Sequence, residues 1–175
     1  MKRNKLLFLG DSLIEYFNWA GRFKGHDVLN LGIAGEAVEG LASRLDRIFR
    51  DVKDCDFVFI MSGINNMATE DTGFLEAYSA AVREIKRAYP EARIVIHSLL
   101  PVLLDFISNE DIKSVNAGLK RLALEEKVEY LDLHRLFQDE NGETKQAFLL
   151  DDGIHLSEAG YRIWSSVLEE RFLLP

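Results

Sequence analysis

An α/β fold, with a parallel sheet held between layers of helices, is what this sequence predicts, and three observations predict it. Short apolar runs alternate with amphipathic stretches from end to end. The runs are apolar at nearly every position, as strands covered on both faces must be. No repeat, low-complexity tract or linker interrupts the 175 residues.

The runs are Leu6–Leu9, Val28–Leu31, Phe57–Met61, Ile94–Leu100 and Val128–Leu133. Between them, apolar residues recur at spacings of three and four, which places each set on one helical face. The first stripe is Val38, Leu41, Leu45, Ile48 and Phe49; the second is Phe74, Tyr78, Ala81, Val82, Ile85 and Tyr89. Ile112, Val115, Leu119 and Leu122 make a third, and Tyr161, Trp164, Leu168 and Phe172 a last one. Pro90 closes the second stripe, and Ser157 stands where an N-cap would open the last helix. Together they describe a three-layer α/β/α sandwich on a five-stranded parallel sheet, expected to be a single domain over residues 1–175. Sheets of this kind carry their sites beyond the carboxyl ends of the strands, where strand order switches.

Composition narrows the function. Apolar residues make up 47% and charged residues 29%, which excludes a disordered chain. Acidic residues outnumber basic ones 29 to 21, for a net charge of −8, and this disfavours nucleic acids and anionic membrane surfaces as partners. A lone cysteine, Cys55, rules out an internal disulfide, and its neighbours Asp54 and Asp56 deny it the setting of a reactive thiolate. The apolar run after Lys5 stops at Gly10-Asp11, too short for a signal-peptide core, and no stretch reaches the length of a membrane span. A cytoplasmic protein is expected. The histidines are scattered and the acids follow no calcium-loop pattern, so neither metal nor cofactor is expected.

Four segments carry chemistry. Gly10-Asp11-Ser12-Leu13 follows the first strand, Gly32-Ile33-Ala34-Gly35 the second and Ser62-Gly63-Ile64-Asn65-Asn66 the third; Asp152-Gly153-Ile154-His155 lies near the C-terminus. Acyl transfer requires this inventory. A serine hydroxyl is a poor nucleophile until a base takes its proton, and His155 is the candidate base for Ser12. The imidazole in turn needs a group to fix its tautomer, and Asp152 lies three residues away. A tetrahedral oxyanion needs fixed donors, for which the Ser12 and Gly35 amides and the Asn65 carboxamide are candidates. Asp11, adjacent to Ser12, is expected to shape the turn. Asp132-Leu133-His134, a second acid–imidazole pair, ends the fifth strand and is read as structural; His97 is expected to be a satisfied core histidine and His26 a surface one.

These four blocks, in this order and spacing, resemble the conserved blocks of the SGNH (GDSL) hydrolases, a family of esterases, lipases, thioesterases and carbohydrate deacetylases. The resemblance runs from about the first strand to the last helix. It implies a flavodoxin-like strand order 2-1-3-4-5, Ser12, Asp152 and His155 as catalytic residues, and Gly35 and Asn65 in the oxyanion hole. The family often has aspartate where Asn66 stands and a small hydroxyl residue where Ile14 stands. Asn66 and the Gly-Ile-Ala-Gly-Glu segment are more similar to the subgroup resembling platelet-activating-factor acetylhydrolases. Ile14 also breaks the Gly-x-Ser-x-Gly elbow of the α/β-hydrolases.

A serine esterase acting on a small-molecule ester with a short acyl chain is therefore expected, since short connections leave no room for a large lid. The apolar stretch Pro101–Ile107 offers Leu104 and Phe106 as an acyl-binding wall; it reads equally as an inward-packed helix start or a self-association surface, so a homodimer stays open. A sugar O-deacetylase or a thioesterase would use the same residues. A non-catalytic anion-binding module would use Ser12 and Asn65 but has no need of Asp152 and His155.

Overall fold

The computed structural model describes residues 3–174. Five parallel strands, β1 (Lys5–Gly10), β2 (Asp27–Gly32), β3 (Phe57–Met61), β4 (Arg93–His97) and β5 (Glu129–Leu131), pair in the order β2-β1-β3-β4-β5. β1 is paired along its whole length with β2 and from Leu6 onward with β3. Because side chains alternate across a strand, each strand feeds two cores. Leu7, Leu9, Val58, Ile60, Ile94 and Ile96 face one way. They meet the apolar stripes of α3 (Val38–Ser43), α4 (Leu45–Asp51), α6 (Leu75–Ala88) and α7 (Asn109–Glu126). Leu6, Phe8, Phe57, Phe59, Met61 and Val95 face the other way, onto α1 (Ser12–Glu15), α2 (Trp19–Arg22) and α8 (Glu158–Leu168). The second core is aromatic: Trp19 stacks on Phe8 at 4.4 Å and meets Trp164 edge-on at 5.0 Å. The three layers and the strand order are those expected. No helix among the described residues is long and apolar enough to cross a membrane.

The departures have local causes. The fourth run does not continue as strand to Leu100, because a side chain takes over the backbone's hydrogen bonds. Asn116 accepts from the Leu99 amide at 2.7 Å and donates to the Leu99 carbonyl at 2.9 Å. The fifth run stops at Leu131 because the Ser98 hydroxyl accepts from the Leu133 and His134 amides, both at 2.9 Å, and turns the chain. The stripe from Val38 to Phe49 is two helices, broken at Arg44 (φ −104°, ψ 0°). Two short helices that the periodicity left unread, α1 and α5 (Ile64–Ala68), open directly after β1 and β3. Ser157 does cap α8, accepting from the Gly160 amide.

Asn116→Ala is expected to strand a buried amide and a buried carbonyl at once, at a cost of about 2–4 kcal/mol, measured by urea unfolding. A loss within about 0.5 kcal/mol would contradict this role.

Candidate active site

Close packing of backbone on backbone sets the position of Ser12. Gly10 lies at φ +153°, and a Cβ there would come within 1.9 Å of the Met61 carbonyl oxygen. At the same level of the neighbouring strand, a Cβ on Gly32 would fall 2.4 Å from the Glu15 amide. β1 therefore ends pressed between its neighbours, and the chain leaves it directly into α1. Asp11 caps that helix, its Oδ1 accepting from the Leu13 amide at 3.0 Å. Ser12 is the first helical residue, so its own amide has no carbonyl one turn back.

His155 reaches Ser12 from the C-terminal segment, with Nε2 at 3.0 Å from Oγ. Its Nδ1 lies 2.7 Å from Asp152 Oδ2. A carboxylate can only accept, so Nδ1 carries the proton and Nε2 turns its lone pair to the hydroxyl. The other carboxylate oxygen of Asp152 accepts from the Ile154 and His155 amides at 3.1 and 2.9 Å. Desolvation pushes the Asp152 carboxyl up, but the hydrogen bonds from the His155 ring and these two amides outweigh it and hold it below the usual range. Gly153 permits this turn: it sits at φ +73°, and a Cβ would meet the Leu103 carbonyl oxygen at 2.7 Å. The Leu103 amide donates back to the Gly153 carbonyl at 2.8 Å, tying the 101–107 segment to the turn. Tyr16 lies beside the imidazole, ring centroids 5.2 Å apart.

The loops after β2 and β3 flank this pair, since the strand order places β1 between them. In the first loop nearly every amide is used: Gly32 donates to Asn30 Oδ1, Ile33 to the Gly10 carbonyl, Ala34 to Glu15 Oε2 at 2.6 Å and Glu36 to the Ile33 carbonyl. Between Gly32 and Glu36, among the described residues, the Gly35 amide alone has no acceptor. Gly35 adopts φ +76°, and a Cβ there would touch nothing within 4 Å, so glycine is required for conformation rather than for space. Asn65, on α5, donates one Nδ2 hydrogen to the Glu36 carbonyl at 3.0 Å and keeps the other free. The Ser12 and Gly35 amides and one Asn65 Nδ2 hydrogen thus have no acceptor among the described residues.

The remaining expected residues fall as follows. Leu104 is half-buried and packs with Ile154 against the core, whereas Phe106 is 66% and Leu103 45% exposed. His134 is buried, with Nδ1 3.1 Å from the Leu99 carbonyl oxygen. His97 is not a satisfied core histidine: it is fully buried between Phe59 and Trp164, and neither ring nitrogen has a partner among the described residues. Burial holds its pKa down at about 3, which leaves the ring neutral and tolerable in an aromatic core. Cys55 fits its reading, as burial and the Asp54 charge push its thiol up to about 12. Periodicity and spacing missed Glu15, Tyr16, Glu36 and Arg44, whose partners are distant or on the next turn. Asn66 is buried and structural, accepting from the Val38 amide and donating to Glu39 and Asp71.

Asp11 carries a cost. Its Oδ2 is buried without a partner, and desolvation pushes its carboxyl from 3.8 up to about 7. A carboxyl that holds its proton more tightly folded than unfolded loses stability as pH rises from its unfolded to its folded pKa. Asp11→Asn keeps the capping oxygen without the titration. Its melting temperature relative to wild type is expected to rise from about pH 4 to about pH 7 and level off above; a pH-independent difference between the two proteins would contradict this.

Comparisons with known proteins agree on one family. The family model of GDSL-like lipases and acylhydrolases matches residues 8–163. The isoamyl acetate-hydrolyzing esterase of Saccharomyces cerevisiae is 41% identical over 63 residues, which are 36% of this chain and 26% of that protein. The platelet-activating factor acetylhydrolase IB subunit alpha1 of Rattus norvegicus is 26% identical over 172 residues, spanning 91% of this chain and 71% of its own. A solved structure from Streptococcus pneumonia, provisionally described as a platelet activating factor, superposes with a TM-score of 0.86 at 28% identity, covering 97% of this chain and 84% of that one.

Proposed function

The chain belongs to the GDSL-like lipase/acylhydrolase family, and on that premise we propose that it is a serine esterase in which Ser12, His155 and Asp152 transfer a short acyl group to water. What carries the reading is the pair of hydrogen bonds that link Asp152 to His155 and His155 to Ser12, at 2.7 and 3.0 Å. The Ser12 Oγ attacks the ester carbonyl carbon while His155 Nε2 takes its proton; Asp152, kept ionised, stabilises the imidazolium that forms. Charge developing on the carbonyl oxygen is met by the Ser12 and Gly35 amides and the free Asn65 N–H. The tetrahedral adduct expels the alkoxide, which leaves with the proton from His155. Water then enters by the same route, gives its proton to His155, and the acid departs as the serine is restored.

The two relatives, one an isoamyl acetate-hydrolyzing esterase and one an acetylhydrolase, support an acetyl-sized acyl group. The segments that carry the site support an uncharged ester. Tyr16, Ile33, Leu103 and Phe106 are exposed on them, and Glu15 and Asp151 disfavour a polyanionic carrier such as acyl-CoA. Leu104 supports the apolar segment from beneath, and Phe106 is its exposed face. A reducing compartment fits the single, unreactive Cys55.

Ser12→Ala is expected to lower kcat on p-nitrophenyl acetate by more than about a thousandfold and to abolish labelling by a fluorophosphonate probe. Turnover near wild type would end this reading. In the same assay Asn65→Ala is expected to cost about 2–4 kcal/mol of transition-state stabilisation, borne by kcat. A loss confined to KM would instead make Asn65 a ground-state contact.

A further inference from the structure

The segment that holds Gly35 is fixed by a residue on a different element. Arg44 stands where the apolar stripe from Val38 to Phe49 breaks, as the hinge between α3 and α4. Its Nε donates to Glu36 Oε1 at 2.6 Å, and its Nη2 donates both to Glu36 Oε2 and to the Leu31 carbonyl, each at 2.7 Å. One planar guanidinium thereby grips the residue before Gly32 and the residue after Gly35. The Glu36 side chain is 8% exposed and that of Arg44 17%, so water competes weakly for either. Glu36 is doubly engaged, because its backbone carbonyl also takes the Asn65 Nδ2 hydrogen.

We propose that Arg44 and Glu36 act as a positioning clamp that sets the Gly35 amide and the Asn65 carboxamide together at the oxyanion site. The proposal rests on the esterase reading and extends it to two residues that touch no reacting atom. Four features point the same way. The turn from Ile33 to Glu36 is closed on itself by the Glu36 amide, so moving Glu36 moves Gly35. Asn65 is oriented through the carbonyl of that same residue. Elsewhere the loop's amides are held by the exposed Glu15 carboxylate on Ala34, the Gly10 carbonyl on Ile33 and the Asn30 carboxamide on Gly32. Finally, Arg44 can cross to Leu31 only because the helix stops there, which gives the break a purpose that apolar packing does not supply. A bidentate fork with a third bond from the same nitrogen demands a planar guanidinium; a lysine ammonium could satisfy one acceptor at a time.

The test compares Arg44→Gln, Arg44→Lys and the neutral pair Glu36→Gln/Arg44→Gln with wild type and Ser12→Ala. Esterase kinetics on p-nitrophenyl acetate are normalised to titrated active sites, and fluorophosphonate labelling rates are measured beside them. Misplaced donors are expected to lower kcat per active site about ten- to a hundredfold, with KM within about twofold, and to slow labelling in parallel, since the phosphonyl oxygen occupies the same hole. The neutral pair removes the risk that Arg44→Gln merely unfolds around an unpaired buried carboxylate, and it is expected to be slow as well. Arg44→Lys is expected to regain melting temperature without regaining kcat. A kcat per active site within twofold of wild type in the neutral pair, or full recovery of kcat in Arg44→Lys, would overturn the clamp. Ser12→Ala separates the two levels: if it turns over and labels like wild type, the esterase reading fails first.

Discussion

The carboxyl end of β1 is the constraint on which everything else depends. β1 pairs with β2 on one side and β3 on the other, and both of its faces are buried. At its last residue the backbone of β3 comes so close that only a hydrogen fits on the Gly10 α-carbon, and one strand away Gly32 does the same for the single turn of α1. Ser12, the proposed nucleophile, leaves the sheet at that narrow point. Its position therefore depends on strand pairing and backbone contact, which are stiff, rather than on a side-chain rotamer, which is not. The loops bearing Gly35 and Asn65 leave the strands on either side, so the same pairing sets them to the two sides of Ser12.

Hydrogen-bond accounting shows what that arrangement costs and preserves. Buried backbone groups nearly always find partners, and along Gly32–Glu36 each amide but one has been given an acceptor. The exception is Gly35. Gly35 is exposed, so water can serve its amide and leaving it idle costs the fold little, while the oxyanion role proposed for it requires a donor free of intramolecular bonds. Asp11, by contrast, is buried. It organises the first turn of α1 with one oxygen while its other oxygen sits unpaired in a dry site. Strain and unsatisfied polarity gather at the end of β1, and the surrounding aromatic core holds them in place.

Much of this was legible in the sequence because much of it is local. Strand and helix periods gave the layers, and Asp152, Gly153 and His155 form one self-contained turn whose hydrogen bonds are set by residues two and three apart. Ser12 was legible once the strand before it was. The failures share another cause. Leu99 and Leu100 continue an apolar run, yet Asn116, seventeen residues on, captures the Leu99 backbone and ends the strand. His97 is apolar in its surroundings and neutral through burial, something no spacing rule encodes. The stripe through Leu45 keeps helical period across Arg44, and only the distant partners Leu31 and Glu36 explain why the helix stops.

The site thus has two halves supported in different ways. The acid–base half, as proposed, is short-range: Asp152 and His155 fix each other through one turn, which backbone hydrogen bonds from Leu103 to Gly153 and from Leu150 to His155 hold against the fold. The oxyanion half we propose is long-range, drawn from three strand ends and held by contacts between residues up to twenty-nine apart in sequence. A short-range device survives if its few residues survive. A long-range one can be disturbed from any of its anchors, none of which need touch the substrate. The difference follows from where each half must act. Proton transfer involves atoms already in contact at 3.0 Å, whereas oxyanion donors must converge on a point that is empty until the reaction begins, and no local contact can define an empty point.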